Sequence, residues 1–454
     1  MVKLCVLTIL ISLLLFQTTP AQDYKPTYFE KAELIEDLWF FQNKVENMHP
    51  LILNKVFAFE WSMHGNIAEK QLPDSLSINQ FYIEIAKLVG ELEDTHTGIS
   101  FPYSERKKYM IDGGGVSMPF SITVKDHRLY VNEYFAEDRS HDIAGKQILA
   151  INNIASDQIL QDMRNTVGVR GRECGDRSVE KMFAMSFWAL YGETNVYRLK
   201  LMGEDAPLAI SGVSNAKYFE LKKKYGSQQN PEKYHLSFSE DQQLAKMSIA
   251  SFYGDEQYYQ FLKDAFQEIK SKGSKQLIID VRNNPGGRSR AVDSLLNYLT
   301  DKSYSQYKSI GIRVSEELKA NYKQKRPELY ARIEKLPNDT LFYMDSTAYK
   351  HEPNYKESAF TGEVYVLINE RSNSAAATFA GVVKEKGLGT IVGNKATGEN
   401  IRYYGDFLMY KLPNTKITFY VSPKEFIQYG GTKLNQGVEP DVLIRDFEFR
   451  DEIN

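Results

Sequence analysis

Gln276-Leu277-Ile278-Ile279-Asp280-Val281 runs, after one arginine, into Asn283-Asn284-Pro285-Gly286-Gly287. The first half is a short, nearly continuous apolar run, the composition of a strand buried on both faces of a parallel sheet. The second half cannot prolong that strand. Proline has no amide proton to give a ladder, and paired glycines reach backbone angles closed to other residues. Ala291 to Leu299 then reads as a helix. The same grammar returns downstream. Val364 to Ile368 is a second buried strand, Ala375 to Lys386 a helix closed by Gly387, and Thr390-Ile391-Val392-Gly393 a third strand. Alternating strand and helix from about residue 233 onward predicts an α/β unit on a mixed or parallel sheet, with right-handed crossovers.

Upstream the pattern changes. Residues 203–232 are polar, rich in Gly, Ser, Asn and Pro, and read as a linker. Lys222, Lys223 and Lys224 sit in it as a solvated run. Between 106 and 202 the chain reads as a small β-rich domain. Ser121 to Val124 and Arg128 to Asn132 alternate like strands, and Ile154 to Met163 reads as a helix. Residues 22–105 form an N-terminal helical region. Leu34, Leu38, Phe41, Val45 and Met48 make one apolar face, and Phe81, Ile85, Leu88 and Leu92 make another. His49-Pro50 stops the first of these helices, because proline disfavours helical geometry in the residue before it.

Residues 1–21 read as a secretory signal. Lys3 gives a positive start, Leu4 to Phe16 is apolar, and Thr19-Pro20-Ala21 offers small residues for cleavage. The apolar run falls short of the roughly 20 residues a membrane span needs. The expected location is therefore periplasmic or extracellular, in a bacterium, with no membrane span after cleavage. Of two cysteines, Cys5 leaves with the signal and Cys174 remains alone, so the mature chain has no internal disulfide. The 454 residues carry a net charge of -3, which gives no global pull toward nucleic acid. No metal-binding or phosphate-loop spacing is present, and no cofactor is expected.

Ser372-Asn373-Ser374-Ala375 lies between a strand and a helix. A hydroxyl there sits at a helix N-terminus, where free N–H groups favour developing negative charge. Acyl transfer needs that environment for its oxyanion. Serine is also a common helix cap, and spacing alone does not rank Ser372 against Ser374. Gly286 or Gly287 can offer a main-chain N–H from the preceding turn, with Ala375 giving another. A base must come from elsewhere. Among seven histidines, His96 stands out in the polar turn Glu93-Asp94-Thr95-His96-Thr97-Gly98.

Leu92 to Thr97, Leu277 to Gly287, Val366 to Ala376 with Ile391 to Gly393, Thr397-Gly398, and Gly437-Val438-Glu439-Pro440-Asp441 occur in one order. Together they resemble the tail-specific (C-terminal-processing) serine peptidases, within them the tricorn-protease-like branch. The resemblance runs from about residue 30 to 445. It implies a crotonase-like α/β catalytic domain over 233–454 and a PDZ-like domain over 106–202. It implies Ser374 as nucleophile, Thr95-His96 as the hydroxyl–base pair, and the N–H groups of Gly286 and Ala375 as oxyanion donors. Its substrate would be a peptide or protein. The chain departs from the family pattern in two places. Ala377 stands where most members have glutamate, and Glu399 stands about where the processing branch has its lysine base. The branch's orienting glutamate aligns near Leu434, which leaves Glu399 and Glu439 as candidates for that role. A non-catalytic peptide- or lipid-binding protein on the same fold is the alternative. A crotonase-like enzyme of CoA thioesters is a third reading, opposed by export.

Overall fold

The computed structural model describes residues 24–137, 142–166, 175–226, 232–353 and 359–444. The expected signal at 1–21, with Cys5, and Cys174 lie outside the described residues.

Strand Gln276–Asp280 is the middle of a six-stranded mixed sheet. Leu277 and Ile279 are fully buried, whereas Ile278 on the other face is half-buried. The strand pairs in parallel with Leu244–Ile249 on one side and Glu363–Ile368 on the other. Thr390–Gly393 and then Val442–Leu443 extend the parallel part, and Tyr234–Phe238 closes the far edge antiparallel. Helix Glu256–Lys272 makes the first crossover. Asp255 caps it by accepting from Tyr258 N–H, and Gly273 ends it at φ 67°. Helix Ala375–Glu385 makes another, and its face of Ala375, Ala376, Ala377, Phe379, Ala380, Val382 and Val383 is buried. Small side chains let this helix lie close on the sheet. Three parallel strands therefore end side by side, and their carboxyl-end loops, residues 281–288, 369–374 and 394–400, share one rim. Ligands of open α/β sheets bind at such rims.

Helix Lys31–Met48 buries its whole expected stripe, Leu34 to Met48. Helix Ile78–Glu91 starts on a capping box, Ser77 with Gln80. These helices do not close a core of their own. Leu38, Phe41 and Phe81 belong to the same buried cluster as Ile312 and Val314 of strand Tyr307–Val314, and as Phe419 and Val421. The region expected to stand apart at 22–105 is thus continuous in packing with the C-terminal half. Strand Gly98–Ile99, just after His96, pairs with Thr418–Val421 in the register Ile99↔Phe419 and Gly98↔Tyr420.

The middle of the chain has a third core. Its sheet runs, edge to edge, Leu208–Ser211, Val196–Leu201, Gln147–Ile151, Arg128–Tyr134, Phe120–Lys125. Helices Ser156–Thr166 and Asp176–Tyr191 pack on it. Of the stretch expected as a linker, 203–232, the described residues 203–226 are largely structured. They supply the edge strand Leu208–Ser211 and the helix Asn215–Tyr225, capped by Ser214. Only Leu221 of that helix is buried, so its composition looks like a loop. Lys222, Lys223 and Lys224 occupy its last turn, where cations suit the helix dipole. No helix among the described residues is long and apolar enough to cross a membrane.

Candidate active site

Ser374 opens the helix Ala375–Glu385 at φ 48°, ψ -120° and makes no side-chain capping bond. A non-glycine residue in that region costs about 1–3 kcal/mol and persists only where its surroundings hold it. They do so on both sides. Asn373 N–H donates to Asn284 O at 2.9 Å, and Thr378 N–H donates to Ser374 O at 2.9 Å. The Ser374 hydroxyl has no hydrogen-bond partner among the described residues, and the residue is half-buried. Ser372 differs. It is fully buried, and its hydroxyl donates to Val281 O at 2.8 Å and accepts from Asn369 N–H at 3.1 Å. Ser372 O also accepts Gly398 N–H at 3.1 Å, tying two rim loops together. Of the two serines that sequence left unranked, one is structural and one has a spare hydroxyl.

The glycine turn presses against Ser374. A Cβ on Gly286 (φ 95°) would lie 2.7 Å from Ser374 Cβ and 2.8 Å from Ala375 N; one on Gly287 (φ 150°) would lie 2.1 Å from Phe252 O. Only glycine fits either position. The Gly286 N–H, expected from the resemblance as an oxyanion donor, is spent on Asn284 Oδ1 at 2.8 Å. The N–H groups of Gly287 and Ala375 carry no hydrogen bond among the described residues. Of the two glycines in this turn, Gly287 is the one whose N–H is left unbonded among the described residues.

His96 follows helix Ile78–Glu91 and is fixed by the pairing of Gly98–Ile99 just beyond it. Its Nδ1 lies 3.0 Å from Thr95 Oγ1, and Thr95 Oγ1 lies 3.3 Å from Glu399 Oε2. A carboxylate only accepts, so the Thr95 proton points to Glu399 and Thr95 Oγ1 accepts from His96 Nδ1–H. That tautomer leaves Nε2 with a lone pair. Glu399 is buried at the rim, whereas Glu439 lies farther out and contributes its backbone O to Lys384 Nζ. Of the two acids proposed to orient the base, the structure brings Glu399 to Thr95 and leaves Glu439 outside.

No hydrogen bond joins Ser374 to His96. Tyr403 packs against the base, its ring centroid 5.5 Å from that of His96, and its hydroxyl donates to the Tyr307 hydroxyl at 3.1 Å. Burial and the Tyr307 hydroxyl push the Tyr403 phenol far above its ordinary range, so it stays neutral. Two features of the site complete this picture. Asp94, one of the carboxylates beside His96 expected to help fix its tautomer, is fully buried and accepts His96 N–H at 2.9 Å. Arg371 reaches across to Glu180 of the middle sheet's helix, with both guanidinium nitrogens at 2.8 and 2.9 Å. Among the described residues, no group of three or more His, Cys, Asp or Glu side chains is arranged to hold a metal ion.

The fold and this rim define a class: a mixed α/β sheet presenting a serine at a helix N-terminus against a glycine turn. Residues 243–444, a little under half of the chain, match the model of peptidase family S41, so that stretch is similar to S41 peptidases. A "Probable CtpA-like serine protease" of Staphylococcus aureus (strain N315) is 24% identical over 187 residues, 40% of this chain and 30% of that protein. Its counterpart in Staphylococcus saprophyticus is 24% identical over 189 residues, 41% of this chain and again 30% of the relative. The matched stretch thus spans less than a third of these relatives' length. Among solved structures, mature CPAF is similar over 91% of this chain and 92% of its own, with TM-score 0.65 and 14% identity. Mature CPAF complexed with lactacystin is similar at TM-score 0.63 and 15% identity, over 91% and 94% of the two chains. At such identities the likeness concerns the fold.

Proposed function

We propose that this chain is an exported serine peptidase acting on peptides or proteins, with Ser374 as nucleophile and His96 as general base. The observation that carries this reading is the contrast within one turn: Ser372 spends its hydroxyl on Val281 O, and Ser374 keeps its hydroxyl free at a strained helix N-terminus. Ser374 Oγ attacks the scissile carbonyl while His96 Nε2 takes its proton. The N–H groups of Ala375 and Gly287 receive the oxyanion. His96 then gives its proton to the leaving amine, and water cleaves the acyl-enzyme by the same route in reverse. Glu399, acting through Thr95, fixes the His96 tautomer from the position at which the processing branch has its lysine. The Ser374–His96 hydrogen bond is made when substrate fills the rim, since catalytic hydrogen bonds commonly tighten only in the complex. The domain over 233–454 is crotonase-like in this reading, the β-rich unit from 106 is PDZ-like, and residues 1–21 direct export to the periplasm or beyond.

One observation favours a second reading, a peptide- or lipid-binding protein without catalysis: Ser374 and His96 are not hydrogen-bonded to each other. A fluorophosphonate probe separates the two. Expected is one adduct, on Ser374, lost in His96→Ala and slowed in Glu399→Gln. A folded wild-type protein that takes no adduct and cleaves no peptide when peptides are present would establish the binder, and an adduct on Ser372 would unseat Ser374.

A further inference from the structure

A second histidine stands behind the first. His49 ends helix Lys31–Met48 and is fully buried. Its Nδ1 accepts Leu51 N–H at 3.2 Å, and its Nε2 lies 3.2 Å from Asp94 Oδ2. Since Nδ1 accepts, the single proton of the neutral ring is on Nε2, aimed at Asp94. Tyr404 covers the ring, with centroids 4.5 Å apart. The other oxygen of Asp94 serves the site: Oδ1 accepts His96 N–H at 2.9 Å and lies 3.8 Å from His96 Nδ1. The Thr97 hydroxyl lies near the Asp94 carboxylate and helps to lower it, and Thr97 Oγ1 accepts Ser422 N–H at 3.0 Å.

We infer that His49 is a positioning residue for the general base: it holds Asp94 as a full carboxylate beside the ring of His96, and Asp94 stabilises the imidazolium that forms there. The inference rests on the peptidase reading for its catalytic consequence but not for its geometry. A neutral imidazole donor orients a carboxylate without cancelling its charge, as a lysine or arginine in that place would. His96 is then served by two acids, Glu399 through the Thr95 hydroxyl and Asp94 directly. The other ionisable groups facing this pair are Tyr404 and Tyr420 from the C-terminal strands. Glu93 and Arg402 line the same recess of about 210 Å³, with Arg402 paired to Glu425. Burial alone would raise the Asp94 carboxyl. The hydrogen bond from His49 leads the contributions that oppose it, and the carboxyl is held down at about 2.

Two substitutions separate positioning from bulk. His49→Asn keeps an acceptor for Leu51 N–H but falls short of Asp94. His49→Gln reaches Asp94 with a donor. Partners that orient a functional histidine from behind are worth about 10–100-fold, so His49→Asn lowers kcat by at least about tenfold with KM unchanged, and His49→Gln restores most of it. A wild-type kcat in folded His49→Asn, or equal losses in both variants, would overturn the inference. Amide exchange at His96, measured in Ser374→Ala background, reads the same geometry without activity. Faster exchange in His49→Asn than in His49→Gln supports it even if the wild-type protein proves inert toward peptides and fluorophosphonate, which would fail the peptidase reading alone; unchanged exchange refutes it.

Discussion

Ser372 and Ser374 share one turn of chain, and nothing in their spacing tells them apart. Their tertiary partners do: a carbonyl from the neighbouring strand takes one hydroxyl and nothing takes the other. Glu399 and Glu439 were equally open candidates on sequence, and again the packing separates them, because only Glu399 meets Thr95. Asp94 shows how much energy such a placement carries. Its carboxyl is lowered from 3.8 to about 2, so it stabilises the fold fully above the unfolded value and loses that contribution as pH falls from about 4 toward 2. By linkage this is on the order of 2 kcal/mol. Thermal melts between pH 5 and 2 are expected to show a steeper loss of stability in the wild-type protein than in Asp94→Asn. Parallel profiles would mean that Asp94 is not held ionised. His49 was legible only as a helix stop, because the residue it orients is 45 positions away and is reached only in three dimensions.

The elements themselves were easier to read than their partners. Strands 276–280 and 363–368 follow from apolar runs cut by turn residues, and helix Lys31–Met48 from one repeating face. Their local pattern agrees with their final burial, so sequence suffices. The hairpin Leu408–Lys411 with Thr418–Val421 is different, since its job is to receive Gly98–Ile99 and so fix His96. Its turn is held by Asp37 of the first helix, fully buried, which accepts from Asn414 N–H at 2.7 Å, Thr415 N–H at 2.8 Å and Thr415 Oγ1 at 2.6 Å. Asp37→Ala leaves these buried donors without an acceptor and is expected to cost about 2–4 kcal/mol in urea unfolding. A loss under about 1 kcal/mol would mean that water replaces the carboxylate.

At the scale of the molecule, the middle unit touches the rim that carries Ser374 through two arginines. Arg177 of helix Asp176–Tyr191 donates to Asn283 O in the glycine turn. Arg371, three residues before Ser374, forms a bidentate pair with Glu180 and also donates to Val124 O at 3.3 Å. Glu180 in turn accepts Val124 N–H and the Thr123 hydroxyl, both at 2.8 Å. Strand Phe120–Lys125 is the edge of its sheet, so these side chains stand in for a missing neighbour strand. Glu180→Ala is expected to speed amide exchange in residues 120–125 and to lower stability by about 1–3 kcal/mol. Exchange as slow as in the wild-type protein would show that the edge needs no such cover.

The sequence by itself determined the strand–helix alternation, the glycine turn, the helix start that carries Ser374 and the polar turn that carries His96, because each is set by residues adjacent in the chain. It misjudged the described part of the expected linker, 203–226, where a mostly exposed helix, Asn215–Tyr225, has the composition of a loop. Tertiary structure alone decided which serine is free, which glutamate reaches Thr95, and that His49 and Asp94 meet behind His96. Those outcomes depend on contacts between segments up to 304 residues apart. A hydrogen bond across such a gap is fixed by packing of whole elements, and local patterning carries no trace of it.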